Sequence, residues 1–141
     1  MANIVELREM SGDKLQEMLE NAREEMFNLR FQNASARLDD YSRLKFVRRE
    51  IAQLESMLNM RRLAKEAAAS LPEIATVLDD KVWRAMARFS YEESAWRVEF
   101  VDEEDNELAT AFVDLNQKRR SGRGRGRKSS PRLVTSYELM G

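Results

Sequence analysis

Leu15, Leu19, Ala22, Met26 and Leu29 recur at alternating steps of four and three, and Asn33 and Ala36 continue the steps. That spacing lays one narrow apolar seam along a helix. Ser11 suits the N-cap, and Asp13 sits in the first turn, where an anion favours the helix dipole. Leu38-Asp39-Asp40 breaks the pattern, and either aspartate can cap a second helix starting near Tyr41. The second seam is Leu44, Val47, Ile51, Leu54 and Leu58. A connection of about five residues predicts that the two helices fold back as an antiparallel hairpin. The second helix is expected to fray through Arg61, Arg62 and the alanines to Ser70. Leu71-Pro72 ends it, because proline disfavours helix in the residue before it. Residues 3–10 and 73–80 each read as one short helical turn.

Beyond residue 80 the texture changes. Trp83 to Tyr91, Ala95 to Asp102 and Leu108 to Leu115 are rich in aromatic and β-branched residues. WRVEFV alternates apolar Trp96, Val98 and Phe100 with polar Arg97 and Glu99, the pattern of a half-buried strand. DEEDNE lies between two such runs and reads as a hairpin turn. These features predict a small antiparallel sheet. From Lys118 the chain reads KRRSGRGRGRKSSPR, with no apolar residue, and is expected to be a flexible basic arm. The predicted fold class is therefore mainly α. Residues 1–70 form a helical hairpin, residues 71–117 an acidic extension with a small β-sheet, and residues 118–141 a basic Arg/Gly-rich tail.

Composition narrows the chemistry. The chain has 141 residues, no cysteine and no histidine. This removes disulfides, thiolate metal sites, and the commonest metal ligand and general base. There is no phosphate-cradling glycine loop ahead of a helix and no nucleophile beside a base. Glu103 and Glu104 are adjacent carboxylates in a predicted turn, without the partners of a catalytic or metal site. No enzyme activity, cofactor, metal or small-molecule substrate is expected. No apolar run approaches the roughly 20 residues that span a bilayer. The N-terminal stretch MANIVELREM resembles neither a secretory signal nor a transit peptide, so a cytoplasmic location is expected.

Net charge is only −1, but it is sharply segregated. Residues 1–70 sum to zero. Residues 71–117 carry four basic side chains (Lys81, Arg84, Arg88, Arg97) against twelve acidic ones, a net of −8. Residues 118–132 carry eight basic and no acidic ones, a net of +8. A basic arm of that kind suits a polyanion, whereas the acidic segment is expected to stay away from one and to turn an acidic face to solvent or to a basic protein.

The hairpin also has a second face. Phe27, Phe31 and Ala34 lie off the first seam, with Arg23, Arg30 and Arg37 flanking at seven-residue spacing. Lys45, Arg48, Arg49 and Ala52 share the back of the second helix. A two-helix hairpin buries one stripe per helix, which leaves Phe27, Phe31 and Phe46 in water unless something covers them. Cations meet phosphates, planar groups stack, and a small residue admits a close backbone, so this face suits a nucleic acid. The plainer reading is a solvated charged face with the phenylalanines shielding the hairpin.

REEMFNLRFQNASARL followed by RLKFVRREIAQLESML resembles the bacterial large-ribosomal-subunit protein family numbered twenty-nine. The likeness runs through Phe27, Leu29-Arg30-Phe31-Gln32, Leu38, Val47-Arg48-Arg49, Ile51-Ala52 and Leu54. Glu6-Leu7-Arg8, Ser11 and Leu15 fit the family's opening turn, and the likeness covers residues 4 to 63 or so. LDDYSRL departs from the family's usual inter-helix turn, and everything from Leu71 onward lies outside the pattern. The resemblance implies a helical hairpin that binds large-subunit ribosomal RNA near the nascent-chain exit tunnel. It further implies the ribosomal protein numbered twenty-three as a neighbour, targeting factors or chaperones as visitors, and a ribosome-bound location. The RNA-binding residues expected are Arg23, Phe27, Arg30, Phe31, Gln32, Arg37, Lys45, Arg48 and Arg49. In the arm they are Lys118, Arg119, Arg120, Arg123, Arg125, Arg127 and Lys128, where glycines keep the backbone adaptable and arginines fork onto phosphate or stack on bases. The alternative is a non-ribosomal coiled-coil interaction module with an RNA-tethering basic tail.

Overall fold

The computed structural model describes residues 3–116 and 133–140. Its helices are α1 (Ile4–Glu9), α2 (Gly12–Ala34), α3 (Ser42–Ala69) and α4 (Pro72–Leu78). Its strands are β1 (Arg84–Ser90), β2 (Ala95–Val101), β3 (Glu107–Val113) and β4 (Val134–Leu139). The architecture is mixed α and β, which corrects the expectation of a mainly α chain. Two compact units divide the molecule, Met1–Asn59 and Met60–Gly141.

In the first unit local capping sets the helix boundaries. Asn3 caps α1 in a reciprocal capping box with Glu6. Ser11 caps α2, its hydroxyl accepting from the Lys14 amide at 3.2 Å. At the other end of α2, Ala36 N–H donates to the Asn33 carbonyl and Arg37 N–H to that of Gln32. This is a Schellman closure, with Ala36 left-handed at φ 56° where glycine is the usual occupant. Of the two aspartates offered as caps, Asp40 serves α3. Its carboxylate accepts from the Ser42 amide at 3.0 Å and the Ser42 hydroxyl at 2.5 Å. Those bonds, and to a smaller extent the charge of Arg43, hold the Asp40 carboxyl below its ordinary range.

The seam of α2 is buried as spaced: Leu15, Leu19, Ala22, Met26 and Leu29. It stops there, since Asn33 and Ala36 are exposed. On α3, Val47 and Leu54 are buried, Leu44, Ile51 and Leu58 are half-buried, and Met57 is fully buried in place of Leu58. A helix of 3.6 residues per turn drifts against a strict seven-residue repeat, which carries the buried stripe from 54 to 57.

Two ion pairs fix the reversal of the chain. Arg23 meets Glu55 at 2.8 Å and Arg43 meets Glu25 at 2.5 Å. Laid end to end as helix, 32 residues would span roughly 48 Å, so residues 23 and 55 meet only if the chain doubles back. Arg23 and Glu55 each follow a seam residue by one, whereas Glu25 and Arg43 each precede one. Successive helical residues turn about 100°, and the axis reverses between the helices. The first pair therefore lies on one side of the hairpin and the second on the other, as antiparallel packing requires.

The second unit holds the last turns of α3, then α4 and the sheet. The expected fraying is not seen: α3 stays helical to Ala69, with Ala64 and Ala68 buried and Arg62 paired to Glu66 at 2.5 Å. Pro72 opens α4 at its first position, where its missing N–H costs nothing. The sheet is antiparallel throughout, in the order β1-β2-β3-β4. Register places Ala85, Ala87 and Phe89 across from Phe100, Val98 and Trp96. These in turn oppose Ala109, Ala111 and Val113, and then Leu139, Tyr137 and Val134. Together they form one apolar face, with Trp96, Val98, Phe100, Ala109, Ala111 and Val113 buried and α4 packed on β3 through an apolar stripe of Ile74 and Leu78. Trp83 meets Phe100, and Phe89 meets Trp96, edge to face at 5.4 Å.

β4 corrects the reading of residues 118–141 as wholly tail, since Val134–Leu139 closes the sheet along β3. The carboxylates also differ from expectation. They gather in turns: Glu92 and Glu93 between β1 and β2, Asp102 to Asp105 between β2 and β3. The strand face opposite the apolar one carries Arg84, Arg88 and Arg97 together with Glu99, Glu107 and Glu138, so on that face the two signs are balanced. The β2–β3 turn is organised by Asp102, whose carboxylate accepts from the backbone amides of Glu104 and Asn106, both at 2.9 Å.

Candidate RNA interface

The expected RNA face lies on α2 and the first half of α3. Arg23, Phe27 and Arg30 each follow a seam residue of α2 by one (Ala22, Met26, Leu29), and Lys45 and Arg48 do the same on α3 (Leu44, Val47). By the geometry that places Arg23 beside Glu55, all five project from one side of the hairpin. Phe31 and Arg49 turn further outward, about 200° from their seams. Gln32 points to the opposite side. Arg37 lies outside α2, in the turn after left-handed Ala36, so the seven-residue stripe of arginines stops at Arg30.

Every one of these nine side chains is exposed. Phe27 is 70% and Phe31 66% exposed, a large apolar surface to leave in water beside cations. Phe46 is different: it is half-buried and carries the Arg43 guanidinium 4.8 Å above its ring, so it is partly covered from within. Arg23 is held by Glu55. Among the described residues, the side chains of Arg30, Arg37, Lys45, Arg48 and Arg49 make no hydrogen bond or ion pair. The cations without a carboxylate partner thus gather at the loop end of the hairpin, around the two exposed rings. Lys118, Arg119, Arg120, Arg123, Arg125, Arg127 and Lys128 lie outside the described residues.

Among the described residues no helix is long and apolar enough to cross a membrane, and no group of carboxylates is placed to hold a metal ion. An arrangement of exposed rings, free guanidiniums and an ammonium offers binding chemistry only: charge for phosphate and planes for stacking.

No solved structure matches the chain. The family model for the ribosomal L29 protein matches residues 5–61, which contains the whole of this helical face. A large ribosomal subunit protein uL29 of Frankia alni is 41% identical over 80 residues, 57% of this chain and 88% of that protein. The protein of the same name from Streptomyces griseus is 43% identical over 65 residues, 46% of this chain and 88% of its own length. That of Mycobacterium sp. strain KMS is 50% identical over 58 residues, 41% of this chain and 75% of its own. With three quarters or more of each of these relatives' length matched at 41% identity or better, the chain belongs to the ribosomal L29 protein family, a structural ribosomal family and not one of enzymes.

Proposed function

We propose that the chain is a structural constituent of the large ribosomal subunit, and that residues 1–70 bind large-subunit ribosomal RNA through the loop-end face of the hairpin. What carries the reading is the gathering of Phe27, Phe31, Arg30, Lys45, Arg48 and Arg49, exposed and without internal partners, inside the segment that matches the family. Exposed phenylalanines cost solvation unless a partner covers them, and unpaired guanidiniums gain most from phosphate. On this reading the site lies near the nascent-chain exit tunnel, beside the ribosomal protein numbered twenty-three. Targeting factors and chaperones then visit the surface it helps to form, and the chain is ribosome-bound in the cytoplasm. The basic run Lys118, Arg119, Arg120, Arg123, Arg125, Arg127 and Lys128 adds electrostatic affinity for the same polyanion.

The test is assembly in direct competition. Arg48→Glu with Arg49→Glu reverses two charges that lie off the seam, so helix content by circular dichroism stays at the wild-type level. The double variant is expected to lose to wild type in incorporation into large subunits, and its RNA affinity to fall. Equal incorporation would remove the face from the RNA contact and favour a coiled-coil interaction module outside the ribosome.

A further inference from the structure

Trp83 and Leu139 belong to the apolar face of the sheet, yet both stay in water. Trp83 packs edge to face on Phe100 at 5.4 Å, Phe100 pairs with Ala109, and Ala109 pairs with Leu139. Neighbouring strands lie roughly 4.8 Å apart, so the backbones of Phe100 and Leu139 are about 10 Å from each other at one end of the sheet. Trp83 is 39% and Leu139 46% exposed, and their chain neighbours Val82 and Met140 are 68% and 42% exposed. Large apolar side chains left open together, with a charged rim, are the mark of a surface that takes a partner.

The rim here is acidic. Asp79 and Asp80 lead towards β1, Asp102, Glu103, Glu104 and Asp105 fill the β2–β3 turn, and Glu107 opens β3, all at this end of the sheet. Arg84 is engaged by Asp105. Lys81 lies near enough to Asp102 to help lower its pKa, behind the hydrogen bonds from Asn106 and Glu104. Seven carboxylates against these two cations leave the end with a net charge of −5. The chain's own basic run is poorly placed to meet them. The Asp114 amide donates to the Leu133 carbonyl at 2.9 Å, so the run leaves and rejoins the sheet at the opposite end. That end is a strand length away, about 20 Å for a strand like β3. The run also has no apolar residue to set against Trp83 or Leu139.

We propose that this end of the sheet docks a basic segment of another protein, one that carries aliphatic or aromatic side chains among its lysines and arginines. Apolar contact with Val82, Trp83, Leu139 and Met140 supplies affinity, and the surrounding carboxylates select a cationic partner and speed its approach. The same carboxylates repel RNA. An extended segment of about six residues covers roughly 20 Å, enough to reach from Trp83 to Leu139. The surface lies outside residues 5–61 and does not depend on what the hairpin binds.

The experiment titrates the full-length protein with three synthetic peptides and follows tryptophan fluorescence, for which Trp83 is the exposed reporter and Trp96 is buried. One peptide alternates lysine with leucine, one alternates glutamate with leucine, and one is this chain's own KRRSGRGRGRKSSPR. The lysine–leucine peptide is expected to bind, to shift the emission to the blue, and to weaken as salt rises. The glutamate–leucine peptide should not bind, and the third should bind roughly tenfold more weakly than the first, for want of one or more buried aliphatic side chains. Val82→Ser with Leu139→Ser should weaken the lysine–leucine peptide by roughly tenfold or more on the same ground. Val82→Ser alone, at the most exposed of these positions, should show part of that loss even where the double variant folds poorly. Glu103→Gln with Glu104→Gln should flatten the salt dependence. Equal binding of the arginine–glycine peptide overturns the proposal, because charge alone then suffices, and equal binding of the glutamate peptide overturns it because charge then selects nothing. Unchanged binding in the serine variants, or an unchanged salt dependence in the glutamine variant, overturns it as well. A fall in affinity for large-subunit ribosomal RNA in Val82→Ser would assign the surface to RNA and overturn protein docking there.

Discussion

The hairpin and the sheet solve the same packing problem with different margins. In the hairpin each helix buries one stripe, and that stripe is thin: Leu15, Leu19, Ala22, Met26 and Leu29 against Val47, Leu54 and Met57. In the sheet one face collects apolar residues from four strands, with Phe100, Val98 and Val113 fully buried and aromatic edges locking Trp83 and Trp96. Charge is also handled differently. The hairpin crosses its two sides with one ion pair each and leaves its free cations at the loop end. The sheet sends many of its acids to turns, and on its open face sets Arg84, Arg88 and Arg97 among Glu99, Glu107 and Glu138. Charge counted along a segment therefore says little about the charge of a surface, because turn and strand positions sort it.

The widest contrast is tested by removing one large side chain from each core. Phe100→Ala should cost about 3–5 kcal/mol, since the ring is wholly buried and the cavity has rigid strands around it. Both tryptophans, Trp83 and Trp96, lie in the sheet unit. Their fluorescence should thus report a large shift in denaturant midpoint, with far-UV circular dichroism of the helices moving less. Leu54→Ala should cost nearer 2–3 kcal/mol, because a two-helix core can partly close over the gap, and the helical signal should move first. If fluorescence and circular dichroism shift together in both variants, the two units unfold as one and the contrast in their margins disappears.

What is legible in the chain is whatever makes local pattern and final burial coincide. The α2 seam, the Ser11 cap and the proline break at Leu71-Pro72 all depend on neighbours in sequence. β1, β2 and β3 show as aromatic and β-branched runs. β4 does not, because VTSYEL follows a basic, apolar-free run and its pattern is weak. What makes it a strand is pairing with β3, some 20 to 30 residues earlier, with Tyr137 across from Ala111 and Leu139 from Ala109. Such non-local ladder bonds leave little trace in a single sequence. Met57 escapes for a smaller reason, the drift of a real helix against a heptad. At the candidate RNA face, residue types and exposure are legible for all nine hairpin residues. The side of the hairpin on which each projects needs the Arg23–Glu55 pair.

The turns provide a smaller test. Ala36 at φ 56° ends α2, and Ser94 at φ 50° closes the β1–β2 turn. A side chain in the left-handed region costs roughly 1–2 kcal/mol, while glycine adopts it without penalty but loses more chain entropy on folding. Ala36→Gly should therefore raise stability by about 1 kcal/mol net in the helical signal, and Ser94→Gly by a similar or smaller amount in the fluorescence signal. Loss of stability at Ala36→Gly would mean that the closing hydrogen bonds of α2 do not depend on that backbone conformation.

The finest comparison is acid sensitivity, where the two units should behave alike. Asp40 before α3 is held below its ordinary pKa mainly by the Ser42 hydroxyl and amide. Asp102 in the β2–β3 turn is held below its own mainly by the Asn106 amide. Both are solvent-exposed, so each effect is small and salt-sensitive. The sign follows from the direction of the shift. A carboxyl whose folded pKa lies below its unfolded value binds fewer protons when folded, so its contribution is fully present above the unfolded value near about 3.9 and fades as pH falls through the folded one. Asp40→Asn should accordingly flatten the loss of helical stability on acidification below about pH 4 and leave the fluorescence transition unchanged, while Asp102→Asn should do the reverse. The measurement is a pair of denaturation series at stepped acid pH, read by both probes. If neither variant flattens its own unit's acid limb, the aspartate hydrogen bonds organise those turns without contributing to stability through ionisation.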